Sequence, residues 1–291
     1  MRVTRRMNCT ALLAPLLALA ACSPPALLTG LDRLTPGEGG TRVASGVPFT
    51  PELKLDVYAP PHVRQGARLP VVIFYYGGGW VAGSRGGYGF AGSAYAGQGF
   101  VTVVPDYRLV PGVRFPTFVQ DSALAVKWTR DHVAEFGGDP NRIAVAGHSA
   151  GAYNAAMMTL DPHYLRDAGV PAGTIKAAAL LSGPYDFYPF TEMRGRDALG
   201  QWPRPAETQP INFVTAAAPP MLLGHGTNDD IVNVRNSKAL AAKLQAAGVP
   251  VELKLYQGKS HVDLAKSLSR PFRRTTPALA DSASFLHRVM P

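Results

Sequence analysis

Cysteine is nearly absent from this chain of 291 residues: only Cys9 and Cys22 occur, both close to the N-terminus. No disulfide can tie the remaining residues together, so stability must come from a packed core. The length allows one large α/β domain to supply it. A membrane-spanning run is missing as well. The apolar stretch from Ala11 to Ala21 is too short to cross a bilayer as a helix. Clustered positive charge is also scarce. The formal net charge of +9 includes Arg2, Arg5 and Arg6, and most later Lys and Arg are scattered, Arg270, Arg273 and Arg274 excepted. No basic stripe interleaves with aromatics, which argues against nucleic acid as a partner.

What the N-terminus does contain is an address. Met1-Arg2-Val3-Thr4-Arg5-Arg6 is a basic n-region, and the short apolar run follows it. Leu19-Ala20-Ala21-Cys22 then has the form of a bacterial lipobox, after which the cysteine is acylated. The expectation is a signal peptide over 1–21, a lipid anchor at Cys22, and export. Ser23, rather than aspartate, follows the cysteine. That favours the outer membrane facing the periplasm. Residues 22–50 are rich in Pro, Gly, Ser and Thr without clear period, and read as a tether.

From residue 51 the pattern changes. Leu53 to Tyr58 alternates like a half-buried strand. Continuous apolar runs at 71–76, 100–104, 143–146 (in a strand over 142–147), 177–181 and 221–223 suit strands buried on both faces. Helical spacing at 118–136, 232–247 and 276–289, and a strand at 251–256, complete an alternating order. Gly137-Gly138-Asp139-Pro140-Asn141 reads as a turn. This predicts an α/β fold, a mostly parallel sheet with helices on both faces. The stretch 183–218, with Tyr185, Phe187, Tyr188, Phe190 and Trp202, is too long for a plain connection. It reads as a small cap over a site; a surface excursion packed for stability is the alternative.

Chemistry enters at Gly147-His148-Ser149-Ala150-Gly151, between an apolar run and a run of small residues. A serine at a strand-to-helix bend, flanked by glycines that let both elements approach, is the G-x-S-x-G nucleophile elbow. A hydroxyl needs a base, and the base needs an orienting acid, arranged in this architecture as Ser, then Asp or Glu, then His. His62 and His132 precede the serine, and so does His148, whose side chain is expected to turn away from the base. His163 and His225 come too early for an acid to precede them, and His287 falls in the last helix. His261 remains, after the strand 251–256 in the loop Gln257-Gly258-Lys259-Ser260. The acid belongs after the strand at 221–224, where Asp229 and Asp230 compete. Tyr76-Gly77-Gly78-Gly79-Trp80 follows another strand and can aim several amides at one point. Gly78 and Gly79, with Ala150, are the expected oxyanion donors. No GK[ST] follows the glycines, which excludes a phosphate loop.

Taken in order, these motifs resemble the carboxylesterase branch of the α/β-hydrolase superfamily. Its feruloyl and acetylxylan esterase-like, arylformamidase-like and hormone-sensitive-lipase-like members come into view. Pro105-Asp106-Tyr107-Arg108-Leu109, Phe115-Pro116, Gly137 to Arg142 and His225-Gly226-Thr227-Asn228-Asp229 extend the resemblance over about 53–290. It implies Asp229 as the acid and Asp106 to Leu109 as a structural motif. It also implies a serine esterase that acts on small-molecule esters without metal or organic cofactor. Two other readings stay open: an arylformamidase-type amidase, and a catalytically weak envelope-binding protein. Tyr76 departs from the family, which usually places histidine before the glycines.

Overall fold

The computed structural model describes residues 24–64 and 66–291. The expected signal peptide and Cys22 lie outside the described residues. No helix among the described residues is long and apolar enough to cross a membrane.

Among the described residues, eight strands form one sheet: β1 (Thr41–Pro48), β2 (Lys54–Ala59), β3 (Leu69–Tyr75), β4 (Val101–Pro105), β5 (Gly138–His148), β6 (Ile175–Leu181), β7 (Met221–Gly226) and β8 (Val251–Tyr256). Their spatial order is β1-β2-β4-β3-β5-β6-β7-β8. β1 and β2 are antiparallel to their neighbours, and the other pairs are parallel. The helices are α1 (Pro24–Leu34), α2 (Gly89–Gly97), α3 (Thr117–His132), α4 (Ala150–Leu160), α5 (Pro162–Asp167), α6 (Met193–Leu199), α7 (Arg235–Ala246), α8 (His261–Lys266) and α9 (Ala278–Val289). Val71, Val72, Ile73, Phe74 and Tyr75 have no exposed surface, and neither have Ile143 to Ala146. Side chains on both faces of these strands are covered, which is why the sequence runs apolar there instead of alternating.

Two expectations are corrected. The tether is not a tether over its described part. α1 packs against α2, and β1 pairs with β2. Leu28, Ala44, Val47 and Phe49 pack against the core, but they are few and irregularly spaced, and polar and backbone contacts supplement them. Buried Thr29 donates to Gly87 O at 2.7 Å, and buried Asp32 accepts from Arg270 N at 2.6 Å. The domain therefore includes α1 and β1 and does not begin near residue 51. At the second site, the turn at 137–141 shrinks to Gly137, whose φ is +80°. Gly138 already pairs with Leu69, and β5 runs from there.

Candidate active site

β5 delivers the chain to Ser149, which sits at φ 56°, ψ −123° immediately before α4. A non-glycine residue there is strained. The strain is held by packing on both sides. A Cβ at Gly147 would stand 2.6 Å from Gly151 C, and one at Gly151 would stand 2.1 Å from Tyr75 O. Ser149 N donates to Leu181 O at 2.9 Å, fixing the bend against β6.

The expected partners converge on this serine. His261 Nε2 lies 2.9 Å from Ser149 Oγ, and His261 Nδ1 lies 2.8 Å from Asp229 Oδ2. His261 is not held in the loop, as its glycine-containing neighbourhood suggested; it is the first residue of α8. Ser260 caps that helix, giving both its N–H and its hydroxyl to Asp263 Oδ2 at 2.9 and 2.7 Å. A capping box therefore sets where the imidazole stands. Asp229 follows β7, and its side chain has no exposed surface. Oδ1 accepts from Ile231 N at 3.1 Å and Val232 N at 2.8 Å. Burial opposes ionisation of this carboxyl, but hydrogen bonds from His225, His261 and Val232 N–H outweigh it and hold it well below the ordinary carboxylate range. Asp230 does not join this network; it is exposed on the rim.

Two histidines set aside by chain order take part. His225 is buried at the end of β7, with Nε2 3.2 Å from Asp229 Oδ2 and 2.8 Å from Val232 O. Its Nδ1 lies 2.7 Å from Ser237 Oγ on α7. Asp229 Oδ2 thus meets two imidazoles. The signal was the His-Gly-x-x-Asp spacing, which brings the ring back over the acid across one tight loop. His148, expected to turn away, instead lies beside His261. Its Nε2 donates to His261 O at 3.0 Å, and the two rings are 4.8 Å apart. Burial, reinforced by His261, pushes its pKa down to about 3, so it stands as a neutral donor that supports the backbone of His261.

The glycine loop closes the other side. Gly78 and Gly79 have φ +138° and +61°, and a Cβ on Gly78 would meet Ala82 O at 2.1 Å. Among the described residues no hydrogen bond takes up either amide. Ala150 N is at the first turn of α4, where no intrahelical acceptor exists. Tyr76, the departure from the family pattern, braces the loop. It stacks on Tyr107 at 4.5 Å, and Tyr107 Oη donates to Tyr76 O at 2.7 Å.

Above these groups opens a cleft of about 1040 Å³. Phe187, Tyr188, Phe190 and Arg194 from the 183–218 segment form one wall, and Trp80, Tyr88, Ile231, Val232 and Val262 line it elsewhere. The segment lines the same cleft as Ser149, but its aromatics divide. Tyr185 is buried in the core, and Trp202 packs edge-on against Phe115.

The BD-FAE family model matches residues 55–244. Carboxylesterase NlhH of Mycobacterium tuberculosis is 33% identical over 221 residues, covering 69% of this chain and 68% of that protein. A probable isoprenylcysteine alpha-carbonyl methylesterase of Arabidopsis thaliana is 31% identical, covering 81% of this chain. This chain spans 48% to 60% of the length of the first curated relatives it matches. Among solved structures, a thermophilic esterase from Thermogutta terrifontis with butyrate bound shares 27% identity at a TM-score of 0.69, covering 87% of this chain and 95% of that one. Elbow, glycine loop, strand order and this agreement over most of the chain lead to one assignment: the chain belongs to the BD-FAE family, within the α/β-hydrolase superfamily.

Proposed function

We propose that this chain is a serine hydrolase of carboxylic esters. The observation that carries the reading is the unbroken hydrogen-bond line Asp229–His261–Ser149, with contacts of 2.8 and 2.9 Å, beneath an open cleft. Ser149 Oγ attacks the ester carbonyl carbon while its proton passes to His261 Nε2. Gly78, Gly79 and Ala150 N–H groups receive the charge that develops on the carbonyl oxygen. Asp229, already ionised and saturated with donors, stabilises the imidazolium without taking its proton. His261 then protonates the leaving alkoxide, and water releases the acyl group by the same steps in reverse. The names carried by the relatives, carboxylesterase and methylesterase among them, agree with this chemistry. A complete line of this kind weighs against a purely binding role. The purified protein is expected to turn over p-nitrophenyl butyrate at about 1–1000 s⁻¹ and the matching anilide far more slowly. Ester hydrolysis no faster than the buffer blank would sink the proposal, and a preference for the anilide would favour an amidase.

We also propose that the chain is exported and lipid-anchored through Cys22, on the outer membrane facing the periplasm. The support is the basic start, the short apolar run and the Leu-Ala-Ala-Cys sequence. Globomycin should cause the unprocessed precursor to accumulate in producing cells. Processing that continues unchanged would refute the anchor.

A further inference from the structure

The exposed large apolar side chains fall unevenly over the surface. Among the described residues they are Leu31, Leu34, Val43, Val81, Tyr188, Met193, Ile231 and Val262. Tyr188, Met193, Ile231 and Val262 stand at the cleft, with exposures of 53%, 74%, 55% and 49%, and Val81 adjoins Trp80 of its wall. Such a collar around one opening departs from the single, dispersed apolar residues that a soluble surface tolerates. Leu31 and Leu34, 49% and 82% exposed, lie one turn apart on α1.

The position of α1 says what covers this surface. Pro25 lies within 3.6 Å of where a Gly87 Cβ would stand, and Thr29 Oγ1 donates to Gly87 O and accepts from Phe90 N. α1 is thus pinned to the segment 87–90, whose Tyr88 lines the cleft. Cys22 precedes Pro24 by two positions in the sequence. The acyl anchor proposed there would tether the chain through α1, which is held against the segment that follows the glycine loop. We propose that the collar and the outer face of α1 rest on the lipid surface. The cleft then opens onto the bilayer and takes amphiphilic esters from it, not water-dissolved ones alone. Asp186, Glu192 and Asp230 stand at the same opening as Arg194 and Arg235, so opposite charges nearly offset there and the contact is only weakly sensitive to salt.

This rests on the ester-hydrolase reading and on the proposed anchor, and one assay separates docking from hydrolysis. The full chain is given monomeric p-nitrophenyl butyrate in buffer and p-nitrophenyl palmitate dissolved in phosphatidylcholine vesicles. The Tyr188→Asp/Met193→Glu variant should lower the ratio of vesicle to monomer rate by about tenfold or more. Leu31→Glu/Leu34→Glu, outside the lining of the cleft, should lower the same ratio with butyrate turnover within about twofold of wild type. It decides the matter alone if the first variant does not fold. Unchanged ratios, or a wild type that hydrolyses butyrate and ignores the vesicle ester, would overturn the docking proposal and leave the hydrolase standing. A wild type inactive on butyrate would overturn the hydrolase itself.

Discussion

Replacing Ser149 by alanine should lower kcat by about a millionfold while the protein remains folded. The expected size follows from how the site is joined. His261 has no other hydroxyl to activate, and Asp229 acts only through His261. Removing the first member therefore removes the function of all three. A millionfold corresponds to about 8 kcal/mol of transition-state stabilisation. The glycine-loop amides and the cleft survive the change, so a residual rate above uncatalysed hydrolysis should persist. Labelling by a fluorophosphonate probe should disappear in parallel, and a variant that still labels would remove Ser149 from its role. Ser149→Gly should be as inactive but more stable by about 1 kcal/mol, because only glycine adopts φ 56°, ψ −123° without strain. Urea unfolding measures that gain. Its sign matters: strain at the bend is a cost the fold carries to hold the hydroxyl where His261 can reach it.

The second large effect is on folding. Gly151→Ala should destabilise the protein by more than about 4 kcal/mol or yield no soluble chain. The added Cβ would stand 2.1 Å from Tyr75 O, 2.4 Å from Tyr75 C and 2.5 Å from Tyr76 O. These atoms are backbone, at the point where β3 leaves the sheet for the glycine loop. They cannot yield by a rotamer change. Relief would require β3 and α4 to separate, opening the most buried layer of the molecule. Gly86→Ala serves as the control, since nothing lies within 4 Å of its Cβ. It should alter stability by less than about 1 kcal/mol. A Gly151→Ala protein as stable as that control would show that the elbow does not need the close approach.

The same steric demand explains why so much of the site could be read from the sequence. An elbow tolerates few residue types, and chain order restricts its partners, so Ser149, His261 and the glycine loop stand out one residue at a time. β8 emerged with the bounds 251–256 because its alternation ends at a turn. Other features left no such trace. α1 and β1 are secured by Thr29, Asp32 and backbone ladders, together with Leu28, Ala44 and Val47, whose spacing shows no period. His148 was misjudged because the direction of its ring depends on the turn geometry, which residue types alone do not specify. His225 was discarded by a rule that sorts candidate bases. That rule is silent on a group whose contact is with the acid.

The borders of the sheet have a consequence of their own. β1 and β8 are its two outer strands. β1 breaks register twice and ends at Pro48, so it presents no regular ladder to a second molecule. β8 alternates cleanly, but Glu252 and Lys254 lie along it, paired at 3.6 Å, and Arg288 reaches Glu252 from α9. Irregularity guards one border and charge the other. Copies of this chain crowded side by side would find no strand to extend, and so would resist zipping into aggregates even at high local density.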